Sequence, residues 1–313
     1  MVGRVPLALT ALFSGANPPA QSVPPIPLIA AEQPPLPEDS LGFDTVESRM
    51  TVPVSIAGRG PYRFVVDTGA QRTIVSRDLA GLLGLQAGRQ VRVTAMTGTA
   101  TVATVDVPSL SVSRIRAGGI EAPALDQADM GAPGLLGIDA LQDHAVSIDF
   151  ARNEMTVRPS RRHRSVAAGP NDIVVTARNR FGQLIVTDAR CEGRQVAVVI
   201  DTGTAITVAN SAFIRMLKDK PTPLGKVSLI SALGELMTAD YVAVDRIRIG
   251  EVAFNNVPMA VADAAPFKRF GLTDQPALLL GMDALRLFDE VQIDFANREI
   301  RFSLPDSHGL GHG

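Results

Sequence analysis

The chain has 313 residues, which is more than one hydrophobic core usually organises, so its length predicts two domains. Apolar residues make up 46% of the sequence and charged residues 20%, a balance that favours a folded protein over a disordered one. The 30 Lys and Arg residues nearly match the 32 Asp and Glu residues, so net charge gives no support for a nucleic acid or an anionic membrane surface as partner.

The cysteine and histidine residues limit which metal sites and disulfides the chain can form. Cys191 is the only cysteine, which excludes an intrachain disulfide and Cys-rich zinc or iron–sulfur sites. The four histidines are scattered and none stands in an H-E-x-x-H array, which argues against a metallohydrolase. We therefore expect no metal and no cofactor, and carboxylates or hydroxyls must carry any chemistry.

Residues 1–40 differ in character from the rest of the chain. An apolar run from Leu7 to Phe13 follows Arg4 and precedes the small residues 14–16, which is typical of a secretion signal. Prolines recur between Pro18 and Pro37 and predict an extended tether. The expected location is periplasmic or secreted, with a cytoplasmic protein as the alternative. No later segment reaches the roughly 18 apolar residues of a spanning helix, so no integral membrane segment is expected in the mature chain.

From Leu41 onward, short runs rich in Val, Ile and Thr alternate with Gly, Pro, Asn or Asp. This pattern predicts antiparallel strands and hairpins. Two segments instead resemble helices that begin after a capping side chain, Ser76 to Leu85 and Asn210 to Lys218, with Ser76 and Asn210 as the caps.

The chain contains an internal duplication in which three blocks recur in the same order. Asp67 and Asp139 are 72 residues apart, whereas Asp201 and Asp283, their equivalents in the second copy, are 82 apart. The second copy therefore carries about ten extra residues between blocks, where loops absorb insertions. The matching blocks are 64–75 with 198–209, 134–141 with 278–285, and 146–155 with 291–300.

The duplication predicts two homologous lobes. The first lobe is expected at 41–158 and the second at 171–304, joined by a basic, proline-broken linker at 159–170 and followed by a flexible tail at 305–313.

Each half contains an Asp-Thr-Gly triplet after apolar residues and, later, a glycine after two leucines. One triplet alone would be a weak signal, but two copies with their partner glycines resemble the aspartic peptidases of the pepsin and retroviral-protease kind. The spacing is similar to that of compact retroviral lobes, so the chain from Leu41 to Leu304 resembles a retropepsin dimer fused head to tail. The residues that carry the resemblance are Asp67, Thr68, Gly69 and Gly137 in the first half, and Asp201, Thr202, Gly203 and Gly281 in the second.

The resemblance implies a mainly β fold of two retropepsin-like lobes, with approximate two-fold symmetry and a few short helices. It also implies that Asp67 and Asp201 form a catalytic dyad. Two carboxylates within hydrogen-bonding distance cannot both be fully charged, so one keeps a proton and the pair offers a general acid and a general base beside one water. The glycines would let the two loops approach, and Thr68 and Thr202 would hydrogen-bond to the opposite loop.

The family also covers its cleft with hairpin flaps. The candidate tips are Met96, Thr97 and Gly98 in the first half, and Ala232, Leu233 and Gly234 in the second, although plain hairpin turns are the alternative. Pepsin-like flaps usually carry a tyrosine and neither tip does, which favours the retroviral type.

Four further positions of the repeat are expected to have structural roles. Asp139 and Asp283 are expected to cap short helices that begin at Ala140 and Ala284. Thr73 and Thr207 are expected to satisfy local hydrogen bonds within a strand.

The leading functional hypothesis is an aspartic endopeptidase that acts on polypeptides at the interface of its two lobes. The first alternative is a peptide-binding module that keeps the duplicated fold without catalysis. The second is a homodimer in which like lobes of two chains pair and form two dyads. We favour a monomer, since the linker is long enough for the two lobes to pair within one chain.

Overall fold

The computed structural model describes residues 40–46, 48–113, 115–160, 172–180 and 182–305. The candidate signal segment and tether up to residue 39, linker residues 161–170 and the tail from residue 306 lie outside the described residues.

Strands dominate the first half of the chain, as the Val- and Thr-rich runs predict. Along many of them, buried apolar side chains alternate with exposed polar ones, the pattern of a sheet with one face on a core. The strands are β1 (Ser40–Gly42), β2 (Asp44–Val46), β3 (Arg49–Ile56), β4 (Arg59–Val66), β5 (Ile74–Ser76), β6 (Gln86–Thr94), β7 (Thr99–Val112), β8 (Ile115–Leu125), β9 (Gly134–Leu136), β10 (His144–Asp149) and β11 (Glu154–Pro159).

The second half repeats this order of strands. The shared order reflects the sequence duplication, because equivalent blocks form equivalent strands. The strands are β12 (Asp172–Arg180), β13 (Gln183–Cys191), β14 (Arg194–Ile200), β15 (Val208–Ala209), β16 (Thr222–Ile230), β17 (Leu236–Ile249), β18 (Val252–Val261), β19 (Ala277–Leu280), β20 (Glu290–Asp294) and β21 (Glu299–Ser303).

The helices are short, and the two that were predicted begin after the predicted caps. The Ser76 hydroxyl accepts a hydrogen bond from the backbone N–H of Leu79 (3.0 Å), and the Asn210 side chain accepts one from Phe213 (2.8 Å). Among the described residues, none of the helices has both the length and the apolar character needed to span a bilayer. The helices are α1 (Arg77–Leu83), α2 (Gln127–Met130), α3 (Ser211–Met216), α4 (Ala265–Arg269) and α5 (Met282–Leu285), with a 3-10 turn at Ile138–Ala140.

The described strands form two sheets. Eight strands of the first half form one sheet in the order β2-β3-β4-β9-β5-β8-β7-β6. The other sheet has the order β1-β11-β10-β20-β21-β12-β13-β14-β19-β15-β18-β17-β16, so it begins with three strands of the first half and continues through the second. Its first six strands bridge the two lobes, and one hydrophobic core cluster extends across both.

An approximate two-fold axis passes through this bridging sheet. Strands β10 and β20 come from equivalent blocks and pair antiparallel, and Ser147 lies opposite its own equivalent, Gln292. Because the pairing joins equivalent residues of one chain, the two lobes assemble within that chain. The structure thus confirms the mainly β, two-lobed fold.

Candidate active site

The two Asp-Thr-Gly loops leave equivalent strands. Asp67 follows β4, which runs parallel to β9, and Asp201 follows β14, which runs parallel to β19. The backbone N–H of each aspartate continues this pairing, from Asp67 to the carbonyl of Leu136 and from Asp201 to that of Leu280, both at 3.0 Å. Buried parallel strands therefore fix where each loop begins.

The predicted supporting glycines lie directly against these loops. A Cβ on Gly137 would lie 2.7 Å from the backbone nitrogen of Thr73, and one on Gly281 would lie 2.6 Å from the carbonyl carbon of Ile206. Real Cβ atoms do not approach backbone so closely. Only glycine allows the turn after the parallel strand to cross the Asp-Thr-Gly loop at this distance.

Two expectations about Asp139 and Thr73, and about their equivalents Asp283 and Thr207, were wrong. The short helices begin earlier than predicted, at Ile138 and Met282, so each aspartate lies inside the first turn. The Asp139 carboxylate accepts hydrogen bonds from the backbone N–H and the hydroxyl of Thr73, at 2.8 and 2.7 Å, and Asp283 does the same for Thr207.

These threonines therefore act across the chain and not within a strand. The Thr73 hydroxyl accepts a hydrogen bond from the N–H of Gly137, and that of Thr207 accepts one from Gly281, both at 3.2 Å. Each Asp-Thr-Gly loop is thus tied to its supporting turn by a buried side chain.

Thr68 and Thr202 join the two loops across the lobe interface. The N–H of each threonine donates to the hydroxyl of the other at 3.1 Å. Each hydroxyl then donates to a carbonyl of the opposite lobe, Thr68 to Ile200 at 2.9 Å and Thr202 to Val66 at 2.6 Å. We call this arrangement the threonine clasp. Both side chains are buried, so water does not compete for these hydrogen bonds.

Because of the threonine clasp, we expect Thr68→Val and Thr202→Val to destabilise the fold. Valine keeps the shape but leaves a buried N–H and a buried carbonyl without partners, so unfolding free energy should fall by about 1–3 kcal/mol for each group. Denaturant unfolding of both variants, with Thr68→Ser and Thr202→Ser as controls that keep the hydroxyl, measures this. Serine variants that lose as much stability as the valine variants would contradict the role of the hydroxyl.

The structure brings the predicted dyad glycines against the opposite aspartates. A Cβ on Gly69 would lie 2.6 Å from Oδ1 of Asp201, and one on Gly203 would lie 2.6 Å from Oδ2 of Asp67. Oδ1 of Asp67 accepts hydrogen bonds from the N–H groups of Gly69 and Ala70 at 2.8 Å, and Oδ1 of Asp201 accepts one from Gly203 at 3.0 Å. Each loop therefore orients its own carboxylate and leaves room for that of the other lobe.

The surroundings of the two carboxylates disfavour the charged form. Burial raises the pKa of Asp67, although the N–H groups of Ala70 and Gly69 and the positive charge of Arg49 act in the opposite direction. Burial, and then the charge of Asp67, raise the pKa of Asp201 to about 7. Both carboxyl groups therefore keep a proton to a higher pH than a solvent-exposed aspartate does.

The candidate flap tips close hairpins of equivalent position. Met96, Thr97 and Gly98 connect β6 to β7, a hairpin we call flap 1, and residues 231–235 connect β16 to β17, called flap 2. In flap 1 the N–H of Ala95 donates to the carbonyl of Gly98 at 2.8 Å. Both tips are hairpin turns.

Each flap tip contacts the opposite lobe. Met96 packs against the apolar cluster of the second lobe, and its carbonyl accepts a hydrogen bond from Ala265 of α4 at 3.0 Å. Ala232 and Leu233 of flap 2 pack against the apolar cluster of the first lobe.

The two flaps also contact each other, because the Thr97 hydroxyl donates to the carboxylate of Glu235. A Cβ on Gly234 would lie 2.6 Å from Oδ2 of Asp129 in the first lobe, so the tip of flap 2 approaches that lobe closely. The tips therefore cross over the lobe interface and meet above it.

Two residues beside the Asp-Thr-Gly loops were missed in the sequence analysis. Arg49 and Gln183 begin the equivalent strands β3 and β13, and each precedes its Asp-Thr-Gly aspartate by the same number of residues. The Gln183 amide donates to the carbonyl of Gly69 in the other lobe, while Arg49 donates to the carbonyl of Met130 at 2.7 Å. Equal spacing within the duplication was the available signal.

A cleft of about 390 Å³ lies beside the first Asp-Thr-Gly loop, under flap 1 and against the second lobe. This volume is within the range of small-molecule pockets. Its lining includes Gly69, Ala70, Gln71, Arg72, Ile74, residues 89–94, Pro123, Gln183, Pro266, Arg269 and Phe270.

Comparison with known families matches each half separately. Residues 52–143 match the family described as "gag-polyprotein putative aspartyl protease", and residues 187–284 match the family described as "Aspartyl protease". None of the curated proteins matches the chain. Each matched range contains one Asp-Thr-Gly loop and its supporting glycine. The chain therefore belongs to the aspartyl proteases, as two such domains in tandem, the organisation of a fused retropepsin-like aspartic peptidase.

Proposed function

We propose that the protein is an aspartic endopeptidase that hydrolyses extended polypeptides with a single dyad, Asp67 and Asp201. The observation that carries this proposal is the mutual approach of the two loops, in which each glycine lies against the carboxylate of the opposite lobe. The threonine clasp supports it, since the clasp holds both loops in one arrangement before substrate binds. A fold that only bound peptides would have no chemical need for two adjacent acids at the lobe interface.

The chemistry follows from one proton shared between two carboxyl groups. The ionised carboxylate accepts a proton from a water held between the pair, and the water oxygen bonds to the peptide carbonyl carbon. The neutral acid donates its proton to the carbonyl oxygen, which gives a neutral tetrahedral intermediate. The C–N bond then breaks as the nitrogen takes a proton from the dyad and an intermediate hydroxyl returns one, so that a carboxylic acid and an amine leave and the shared proton is restored.

The flaps support an extended polypeptide as the substrate. They cross above the lobe interface, so a bound chain would be enclosed between the flaps and the dyad. An extended segment offers backbone N–H and C=O groups that pair with hairpin strands at such a site. Contacts at the tips must break for a polypeptide to enter, so opening of the flaps is part of the proposed cycle.

The pH dependence of cleavage provides the direct test. The pKa of Asp201 is raised to about 7, so the dyad keeps its proton below that pH and loses it above. Above pH 7 both carboxylates are charged and the general acid is missing, so kcat/KM should fall about tenfold per pH unit. The measurement is cleavage of a diverse synthetic peptide pool by the folded protein between pH 3 and pH 9, followed by mass spectrometry.

Two results would count against the proposal. A folded protein that cuts no peptide at any pH would favour the peptide-binding module. A rate that rises through pH 7 and stays high would show that a neutral acid is not needed, and would exclude the dyad mechanism.

We further propose that the active form is a monomer. The bridging sheet and the threonine clasp both join lobes of the same chain, which supports a complete site in one copy. Sedimentation or gel filtration of the active protein tests this, and activity confined to a dimer fraction would contradict it.

We also propose that the protein is exported, on the basis of the apolar run and the small residues that follow it near the N-terminus. The N-terminal residue of the protein isolated from its own cells tests this. An N-terminus near residue 16 supports export, and an intact residue 1 contradicts it.

A further inference from the structure

One end of the cleft is rich in arginine. Arg72 belongs to the loop after Asp67, Arg92 lies on flap 1, and Arg269 ends α4 of the second lobe. Arg89 also lines this end, but Glu121 pairs with it at 2.9 Å. Among the described residues that line the cleft, none is an aspartate or a glutamate.

Two of these arginines form no ion pair within the described residues. In the part of the chain that the structure describes, no hydrogen bond or ion pair involves the side chain of Arg72 or Arg92, and both residues are exposed. Arg269 donates to the amide oxygen of Gln71, which lines the same cleft. Three arginines from three separate elements thus line one cleft beside the first Asp-Thr-Gly loop.

The residues at the two-fold equivalent positions are not arginines. Arg72 lies five residues after its aspartate, and Ile206 holds that position in the second loop. Arg92 lies two residues before the end of β6, where β16 has Ser228. Arg269 is the last residue of α4, and the equivalent helix of the first lobe, α2, ends at Met130. None of the three has a basic counterpart at the other end.

Gln183 adds an independent feature at the same end. Its side chain is 3% exposed and lines the cleft, and its amide nitrogen is held by the carbonyl of Gly69. Its amide oxygen is buried and has no hydrogen-bond partner in the described structure. A buried acceptor without a partner costs free energy, and a donor from a bound molecule removes that cost. An extended peptide at this end would supply a backbone N–H.

We propose that this end of the cleft binds an acidic segment of the substrate, so that cleavage is favoured where Asp or Glu lies on one side of the scissile bond. The inference rests on the proposed peptidase function and defines its substrate class. Guanidinium groups bind carboxylates through charge-assisted, often bidentate hydrogen bonds, which gives them selectivity over neutral amides. Arg72, Arg92 and Arg269 supply the charge, and Gln183 accepts from the substrate backbone.

The test uses matched peptides around one cleavable sequence. Glu is placed in turn at each of the four positions before and after the scissile bond, with Gln at the same place as the neutral partner. We expect kcat/KM for Glu over Gln to be about tenfold at positions on one side only, and near one on the other side. Because the contact is electrostatic, raising the salt concentration should lower this ratio.

Variants connect the preference to the three arginines. The triple variant Arg72→Gln, Arg92→Gln, Arg269→Gln should bring the Glu/Gln ratio close to one. Arg92→Glu should weaken cleavage of the Glu peptides and favour Lys at the same positions. Arg116→Gln is the matched control, since Arg116 is an exposed arginine of β8 outside the cleft lining, and it should keep the wild-type ratio.

The outcomes separate this inference from the proposed function. Cleavage with equal rates for Glu and Gln peptides, or a ratio that the triple variant leaves unchanged, overturns the acidic subsite and leaves the peptidase intact. If no peptide is cleaved, the peptidase proposal fails. The subsite is then tested without cleavage. Fluorescence anisotropy measures the binding of fluorescein-labelled Glu and Gln peptides to wild type and to the triple variant. Tighter binding of the Glu peptide only in wild type supports it, and equal binding overturns it.

Discussion

Asp67→Asn and Asp201→Asn are each expected to abolish peptide cleavage, with kcat reduced by about 10³-fold or more. An asparagine can neither accept the proton of the water nor share a proton with the remaining acid, so one substitution removes the whole function of the pair. The double variant should be no less active than either single one, because residues that act as a unit lose their effect together. Peptide cleavage by all three variants at pH 5 and pH 7 measures this.

Stability provides the control for folding in that experiment. The folded state raises the pKa of Asp201 above its unfolded value, so this group favours the fold at low pH and that contribution is lost as pH rises toward 7. Asp201→Asn removes the buried charge, so its midpoint of thermal unfolding relative to wild type should be higher at pH 8 than at pH 5. Activity that survives in one of the two variants would contradict a shared dyad and point to pairing of like lobes between chains.

Gly203→Ala should reduce the rate of peptide cleavage about 100-fold. The new methyl group would lie 2.6 Å from Oδ2 of Asp67, where the opposite loop and the threonine clasp prevent the backbone from moving away. The Asp67 side chain must therefore turn out of its position, and small displacements at a reacting centre cost about 100-fold in rate. Gly69→Ala should act in the same way on Asp201. Peptide cleavage and the unfolding midpoint, measured together, check both variants.

Gly81→Ala is the matched control for these glycine variants. Gly81 lies within α1, and a Cβ there would meet no atom within 4 Å. Alanine should therefore raise the stability of the fold by about 0.5–1 kcal/mol and leave cleavage unchanged. A Gly203→Ala variant with normal activity would show that the two loops are farther apart in solution than the close approach of Gly203 and Asp67 requires.

The features that the sequence predicted are those that repeat or that depend on near neighbours. The two Asp-Thr-Gly loops and their glycines are recognisable because a duplication presents them twice. The caps at Ser76 and Asn210 were predicted because a cap acts on an N–H only three residues away.

What could not be predicted depends on contacts between distant parts of the chain. Asp139 looked like a helix cap because its nearest free N–H groups are in its own turn, yet its carboxylate binds Thr73, 66 residues earlier. The crossing of the flaps requires that Met96 pack on the second lobe, which no local pattern indicates. Arg49 and Gln183 were overlooked because a duplication draws attention to identical residues, whereas these equivalent positions differ.

The two halves of the molecule differ in sequence, and this difference affects the direction in which a polypeptide can lie in the cleft. A polypeptide has a direction, from its N-terminus to its C-terminus, but a cleft made of two identical chains has the same residues at both ends. In such a homodimer, any substitution changes both ends of the cleft at once. Here the axis through Ser147 and Gln292 relates two halves of one chain, so Arg72 and Ile206 occupy equivalent places and need not match. Joining the halves in one polypeptide therefore gives the cleft a polarity, and with it the means to hold a substrate in one orientation.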